Sequence, residues 1–214
     1  MALYDYWFTQ YNFPNNQEKP YNQSNGIFEY CDILKKNIPL NWKVMKITDV
    51  ADIYQPQTIS NDLFDDNANY NVYGGGGLIG KYSSYNHENS EVIISCRGNC
   101  GNFYFTSPQS WITGNAMVVS PNQTILSKYY VFHYLKRYGV KQFLTGSVQK
   151  QLTRENLSGL NILIPPKNIL NSFDNIIKPM YDKIIQIRLE TNKLISFRNY
   201  LLPLLMNGQA IIDG

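Results

Sequence analysis

The chain has 214 residues, 43% of them hydrophobic and 16% charged, with a formal net charge of +3. These are globular values, enough for one domain with a real core plus an appendage but not for two full domains, and no run of about 18 apolar residues is present to span a membrane. The opening "MALYDYWFTQYNF" lacks the basic and apolar regions of a signal peptide, and three cysteines, an odd number, suit a reducing compartment, so the expected location is the cytoplasm, without a membrane partner.

Residues 1–37 mix aromatics with the polar, Pro- and Gly-containing "NFPNNQEKPYNQSNG" and predict an arm of irregular chain rather than a domain. A new unit opens at "IPLNWKVMKITDVADIYQP". Alternating Val44 and Lys46 predict a strand there, and Thr48 with Asp49 predict the cap of a short helix before Pro56. Short β-type runs follow at 70–73, 91–96, 103–105 and 115–119, separated by Gly, Asn, Ser and Pro. "SKYYVFHYLKRYG" reads as a helix capped by Ser127 and stopped by Gly139, and "LNILIPP" as a buried strand halted by two prolines, closing a domain over 38–168.

After Pro166 the pattern changes, and residues 169–214 read as a long helix with a tail. Phe173, Ile177, Met180, Ile184, Ile187, Thr191, Leu194, Arg198, Leu201 and Leu205 alternate steps of four and three, and eight of these ten are apolar. That is a heptad seam, predicting one coiled-coil helix over 180–202 that something else must cover; Pro179 either kinks the first turns or marks the start, and Pro203 ends or bends it. The fold class is therefore α/β of the α+β type, a strand-rich mixed domain followed by a long C-terminal helix.

Charge is unevenly distributed along the chain. Residues 69–154 carry eight basic and two acidic residues, and from Val92 to Arg154 there is no Asp or Glu while Arg97, Lys128, Lys136, Arg137, Lys141, Lys150 and Arg154 all fall there. A long stretch free of carboxylates suits a polyanion, because Lys and Arg gain by displacing counterions from phosphates; the alternative is a merely solvated basic face.

Within this stretch, "GGGGLIGKYS" fits a phosphate-binding loop poorly, since Gly80-Lys81 is followed by Tyr82 and no helix pattern comes after it. A metal site from Cys96, Cys100, His87 and His133 is also a poor fit, because Cys-x3-Cys is an unusual zinc spacing; inert thiols and a structural histidine suit the residues better. No paired carboxylates or Ser-His-Asp arrangement points to a hydrolase. What remains is a set of glycine-rich turns presenting Lys81, Tyr82, Tyr85, Asn86, Arg97, Asn99 and Asn102, the residue types that contact DNA. Lys81, Arg97, Lys136, Arg137, Lys141 and Lys150 are the charge candidates, and Asn86, Asn99, Asn102, Gln142 and Gln149 the candidates for base edges.

In their order, "LYDYWFTQYNFPNNQEKPY", "IPLNWKVMKITDVADI", "VYGGGGLIGKYS", "ISCRGNCG", "GSVQKQLTRENLSGLNILIPP" and "LISFRNYLLPLLMNG" make the chain resemble half of a type I restriction-modification specificity subunit. The resemblance implies a non-catalytic protein without a cofactor. Residues 38–168 would be one target recognition domain for double-stranded DNA, directing a methyltransferase (M) subunit, and through it a restriction (R) subunit, to a bipartite site. S-adenosylmethionine would bind the partner. A complete member of that family carries two such domains and two long helices, so the chain is expected to be a natural half-subunit, a silent or phase-variable cassette, or a truncation. The alternative is an oligomerising scaffold that does not bind DNA by itself. A half-subunit would pair through Ile177, Met180, Ile184, Ile187, Leu194, Arg198, Leu201 and Leu205.

Overall fold

The computed structural model describes residues 1–98, 100–146 and 150–209. A short helix, α1 (Ala2–Tyr4), runs into a π-helical turn, Asp5–Thr9, before the hairpin of β1 (Phe28–Cys31) and β2 (Lys36–Pro39). Next come β3 (Lys43–Lys46), α2 (Ile47–Val50), β4 (Ala51–Tyr54), β5 (Tyr70–Gly74), β6 (Gly77–Tyr82), β7 (Val92–Ser95), β8 (Phe103–Phe105), β9 (Trp111–Ile112) and β10 (Ala116–Pro121). The last elements are α3 (Lys128–Tyr138), α4 (Arg154–Leu157), β11 (Asn161–Ile164) and α5 (Lys167–Met206). Sheets and helices are segregated rather than alternating, so the fold is α+β. The chain divides into two compact units, Met1–Asp174 and Asn175–Gly214.

The first unit is built on an antiparallel sheet of order β4-β10-β7-β8. Of its central strands β7 is buried along its whole length and β10 at every position but Ser120, which is why "VIIS" in β7 and most of "AMVVSP" in β10 read as continuous apolar runs without alternation. A smaller sheet, β6-β5-β9, packs Tyr73 and Ile112 into the same core as Ile93, Ala116 and Val118.

α3 begins and ends as its sequence dictates. Ser127 accepts hydrogen bonds from the amides of Tyr129 and Tyr130, and Gly139 takes the left-handed φ of 69° that L-residues avoid. Seven consecutive residues, Tyr129 to Leu135, are buried, so both faces of this helix must be covered. One face packs on the sheet through Phe105, whose ring lies 5.4 Å from Tyr129 and 5.7 Å from Phe132. The other meets the N-terminus: Phe8 is 4.9 Å from Tyr130 and 5.0 Å from Phe173, and Tyr4 is 5.7 Å from Tyr130. The phenols of Tyr130 and Tyr134 donate to the carbonyls of Leu163 and Asn161, each at 2.7 Å, tying α3 to β11.

Two expectations change here. Residues 1–37, read as an arm, place Tyr4, Trp7, Phe8, Tyr11 and Phe13 in the core of the first unit, because the face of α3 turned away from the sheet is apolar and Tyr4 and Phe8 pack on it. Thr48 and Asp49 lie inside α2, whose N-cap is Lys46, so neither is the cap.

α5 is longer than the predicted 180–202. It starts at Lys167, just after Pro166, and continues through both Pro179 and Pro203. Forty residues make a rod of about 60 Å, and each proline removes one backbone donor from it. Phe173 is fully buried in the aromatic core and Ile177 is buried as well, so neither belongs to an open seam. Met180, Ile184, Ile187 and Leu194 are 54%, 43%, 49% and 68% exposed. Among the described residues no helix is long and apolar enough to cross a membrane.

Candidate nucleic-acid interface

The glycine run is a hairpin turn. Gly74 pairs with Gly77 across β5 and β6, leaving Gly75 and Gly76 as the two-residue loop, with Gly77 at a φ of 89°. A strand-turn-strand has no helix N-terminus to hold a phosphate, which removes the nucleotide-loop reading. The glycines serve close packing: a Cβ on Gly75 would lie 3.0 Å from the Arg97 carbonyl oxygen and 3.1 Å from that of Asn115, and one on Gly77 would lie 2.8 Å from the Tyr104 ring.

That packing seats the turn against the loop joining β7 to β8, which carries Arg97. This loop is tight, with Gly98 and Gly101 at φ of 73° and 86°, and it is fastened by the Gly101 amide to the Ser95 carbonyl at 2.9 Å. On its other side the Cys100 thiol donates to the Lys150 carbonyl at 2.8 Å and the Leu152 amide to the Cys96 carbonyl at 3.2 Å. Residues distant in sequence therefore meet around one loop.

Three open grooves share residues and form a continuous surface. The first includes Asn61, Ile79, Arg97, Gly98 and Asn115; the second Gly98, Cys100, Asn102 and Lys150; the third Asn102, Tyr104, Lys136, Lys141 and Gln142. No Asp or Glu lines any of them. Arg97, Asn102, Lys136, Arg137, Lys141, Gln142 and Lys150 are all exposed on this band, so the structure gathers seven of the sequence candidates onto one surface whose groove-lining residues include no Asp or Glu. Lys136, with its ammonium 5.6 Å from the Phe132 ring centroid, and Lys141 sit at and just beyond the C-terminal end of α3.

The other candidates separate from it. Lys81 donates to the Asp66 carbonyl at 3.1 Å, and Tyr82 packs edge-on against Trp111 at 5.3 Å. Asn86 has both ends of its amide engaged: Nδ2 donates to the Ile112 carbonyl at 3.0 Å and Oδ1 accepts from the Ile112 amide at 2.8 Å. It is a backbone clamp and has little capacity left for a base edge. Arg137 lines the third groove too, but its Nε is 2.8 Å from Asp5 Oδ1, so an N-terminal carboxylate already neutralises it. Asn99 and Gln149 lie outside the described residues. Sequence reasoning missed Ile79, Asn61 and Asn115; an apolar "LI" directly behind a glycine turn was the available sign of an exposed hairpin tip.

The thiols and histidines do not converge. Among the described residues no three His, Cys, Asp or Glu side chains gather as a metal site would need. Cys96 is buried, and burial raises its thiol pKa, which keeps it protonated. His87 takes a hydrogen bond between Nε2 and the Tyr54 hydroxyl at 2.9 Å. His133 is buried in the aromatic core; burial, with the positive N-terminus and Lys136 adding to it, lowers its pKa to about 4, so the ring is neutral at physiological pH.

Comparison with known proteins points the same way. Residues 39–198 match the model of the type I restriction modification DNA specificity domain. The type I restriction enzyme MjaIX specificity subunit of Methanocaldococcus jannaschii is 22% identical over an alignment that takes in 100% of this chain and 52% of that protein. The chain thus spans about half the length of the curated relative it matches. The type I restriction-modification S subunit of M. genitalium has a similar fold, with a TM-score of 0.60 at 16% identity over 81% of this chain and 48% of that one. A chain in a structure addressing complex assembly and conformational transition of the type I R-M system gives 0.52 at 17% identity, over 83% and 48%.

Proposed function

Because the chain belongs to the type I restriction modification DNA specificity family, we propose that it supplies sequence recognition to a DNA methyltransferase in the cytoplasm and performs no chemistry itself. The observation that carries this reading is the basic band of connected grooves. Arg97, Lys136, Lys141 and Lys150 supply cations for phosphates, while Asn102 and Gln142 supply amides for base edges, without a carboxylate among the groove-lining residues to offset them. S-adenosylmethionine binds the methyltransferase (M) subunit, since this chain has no strand-loop-helix nucleotide fingerprint, and a restriction (R) subunit joins through that partner.

The exposed apolar positions of α5 support pairing with a second copy. Two identical domains at the ends of an antiparallel helix pair read inverted repeats, so the target is bipartite and palindromic. The test is co-expression with a methyltransferase subunit followed by sequencing of methylated DNA. A new palindromic, interrupted motif is expected. No new methylation, or a motif with two unrelated halves, overturns the reading.

A further inference from the structure

Ile79 is 40% exposed at a hairpin tip, although it is a large apolar residue with a core strand close by. The register of β5 and β6 explains its position. Val72 pairs with Gly80 and Tyr73 with Leu78, so Ile79 is the extra residue of a β-bulge and has no partner across the ladder. Bulges redirect side chains, and this one directs Ile79 over the turn: its methyl carbons are the atoms a Cβ on Gly74 or Gly76 would meet, at 2.9 and 3.7 Å. From there Ile79 lines the same groove as Arg97. The close seating of Gly75 on the Arg97 carbonyl fixes the two tips relative to one another.

An apolar side chain sharing a groove with an exposed arginine, with no Asp or Glu among the lining residues, is poorly suited to a phosphate backbone but well suited to a base-pair edge. In the major groove the apolar group on offer is the C5-methyl of thymine, and the acceptor pair that matches a guanidinium fork is N7 and O6 of guanine. We infer that Ile79 and Arg97 form one composite reading head, with Arg97 on a guanine edge and Ile79 on the methyl of a nearby thymine. This rests on the DNA-reading function proposed above.

The test uses the full chain assembled with its methyltransferase subunit and a pool of random duplexes. The enriched sequence is then remade with single thymine-to-uracil replacements, which remove only the methyl, and single guanine-to-7-deazaguanine replacements, which remove N7. Uracil at one position is expected to weaken binding about fourfold, the value of one buried methyl. 7-Deazaguanine at a nearby position is expected to weaken it about tenfold. Ile79→Ala should abolish the uracil effect alone, Arg97→Gln the deazaguanine effect alone, and Ile79→Val, which keeps a branched tip, should retain the uracil effect. Enrichment of a motif indifferent to both replacements overturns the inference while leaving the DNA-reading function standing. Failure to enrich any sequence overturns that function and the inference with it.

Discussion

Arg137 Nε lies 2.8 Å from Asp5 Oδ1, joining the last turn of α3 to the π-helical turn at the N-terminus. One of the cations in the acid-free segment is thus spent within the fold. Arg137→Ala should leave DNA affinity within about twofold, and its effect on stability should be below about 1 kcal/mol, as for other exposed pairs. Lys136→Ala and Lys141→Ala should each weaken binding similarly across sequences and reduce the slope of log K against log salt by about one. Titration at several salt concentrations decides it; an Arg137→Ala variant that loses as much slope as the lysine variants would return Arg137 to the interface.

The glycine turn makes an internally controlled prediction. Gly77→Ala must hold an L-residue at a φ of 89° with its Cβ 2.8 Å from the Tyr104 ring, whereas Gly76→Ala meets nothing closer than Ile79 at 3.7 Å. Gly77→Ala should destabilise by about 2 kcal/mol and Gly76→Ala by no more than about 0.5 kcal/mol. Urea unfolding of the two variants reads the difference, and equal midpoints would refute it.

His133 gives a pH dependence of definite sign. Its folded pKa is about 4, below the ordinary 6.5, so the folded state resists protonation that the unfolded state accepts. Stability is full above pH 6.5 and falls as pH drops toward 4, by an amount on the order of 3 kcal/mol. His133→Gln removes the titration. The stability difference between wild type and variant should therefore shrink from pH 7 to pH 4.5, and a constant difference would show that another group controls the acid limb.

For α5, Ile187→Asp combined with Leu194→Asp should convert a dimer into a monomer at tens of micromolar by sedimentation. Both positions are about half exposed or more, so the fold of the first unit should survive, as its thermal transition would report. Arg198, whose Nε and Nη2 donate to the neighbouring Asn199 at 3.1 and 2.8 Å, needs no cross-helix carboxylate. Arg198→Leu should leave dimerisation intact or strengthen it. An unpaired wild-type chain, or unchanged dimerisation in the double aspartate variant, would count against pairing through this seam.

Much of the architecture was legible along the chain because its signals are local. Ser127 and Gly139 bound α3 through capping chemistry that acts over three residues, and the four-three spacing from Phe173 onward marked a helix whatever packs against it. The absence of carboxylates from Val92 to Arg154 likewise foreshadowed grooves lined by Arg97, Lys136, Lys141 and Lys150 with no Asp or Glu among the lining residues. Tertiary structure decided what sequence distance conceals. The N-terminal aromatics become core only because α3 is buried on two sides, and Arg137 is already paired only because Asp5 folds back onto it. Asn86, a base reader by residue type, becomes a clamp on Ile112 through two hydrogen bonds spanning 26 positions. Ile79, apolar and unremarked in the sequence, lines the face with Arg97 because a bulge and a glycine turn place it there. Residue type sets which contacts a side chain is able to make, but the neighbours that the fold supplies decide which of those contacts are already taken.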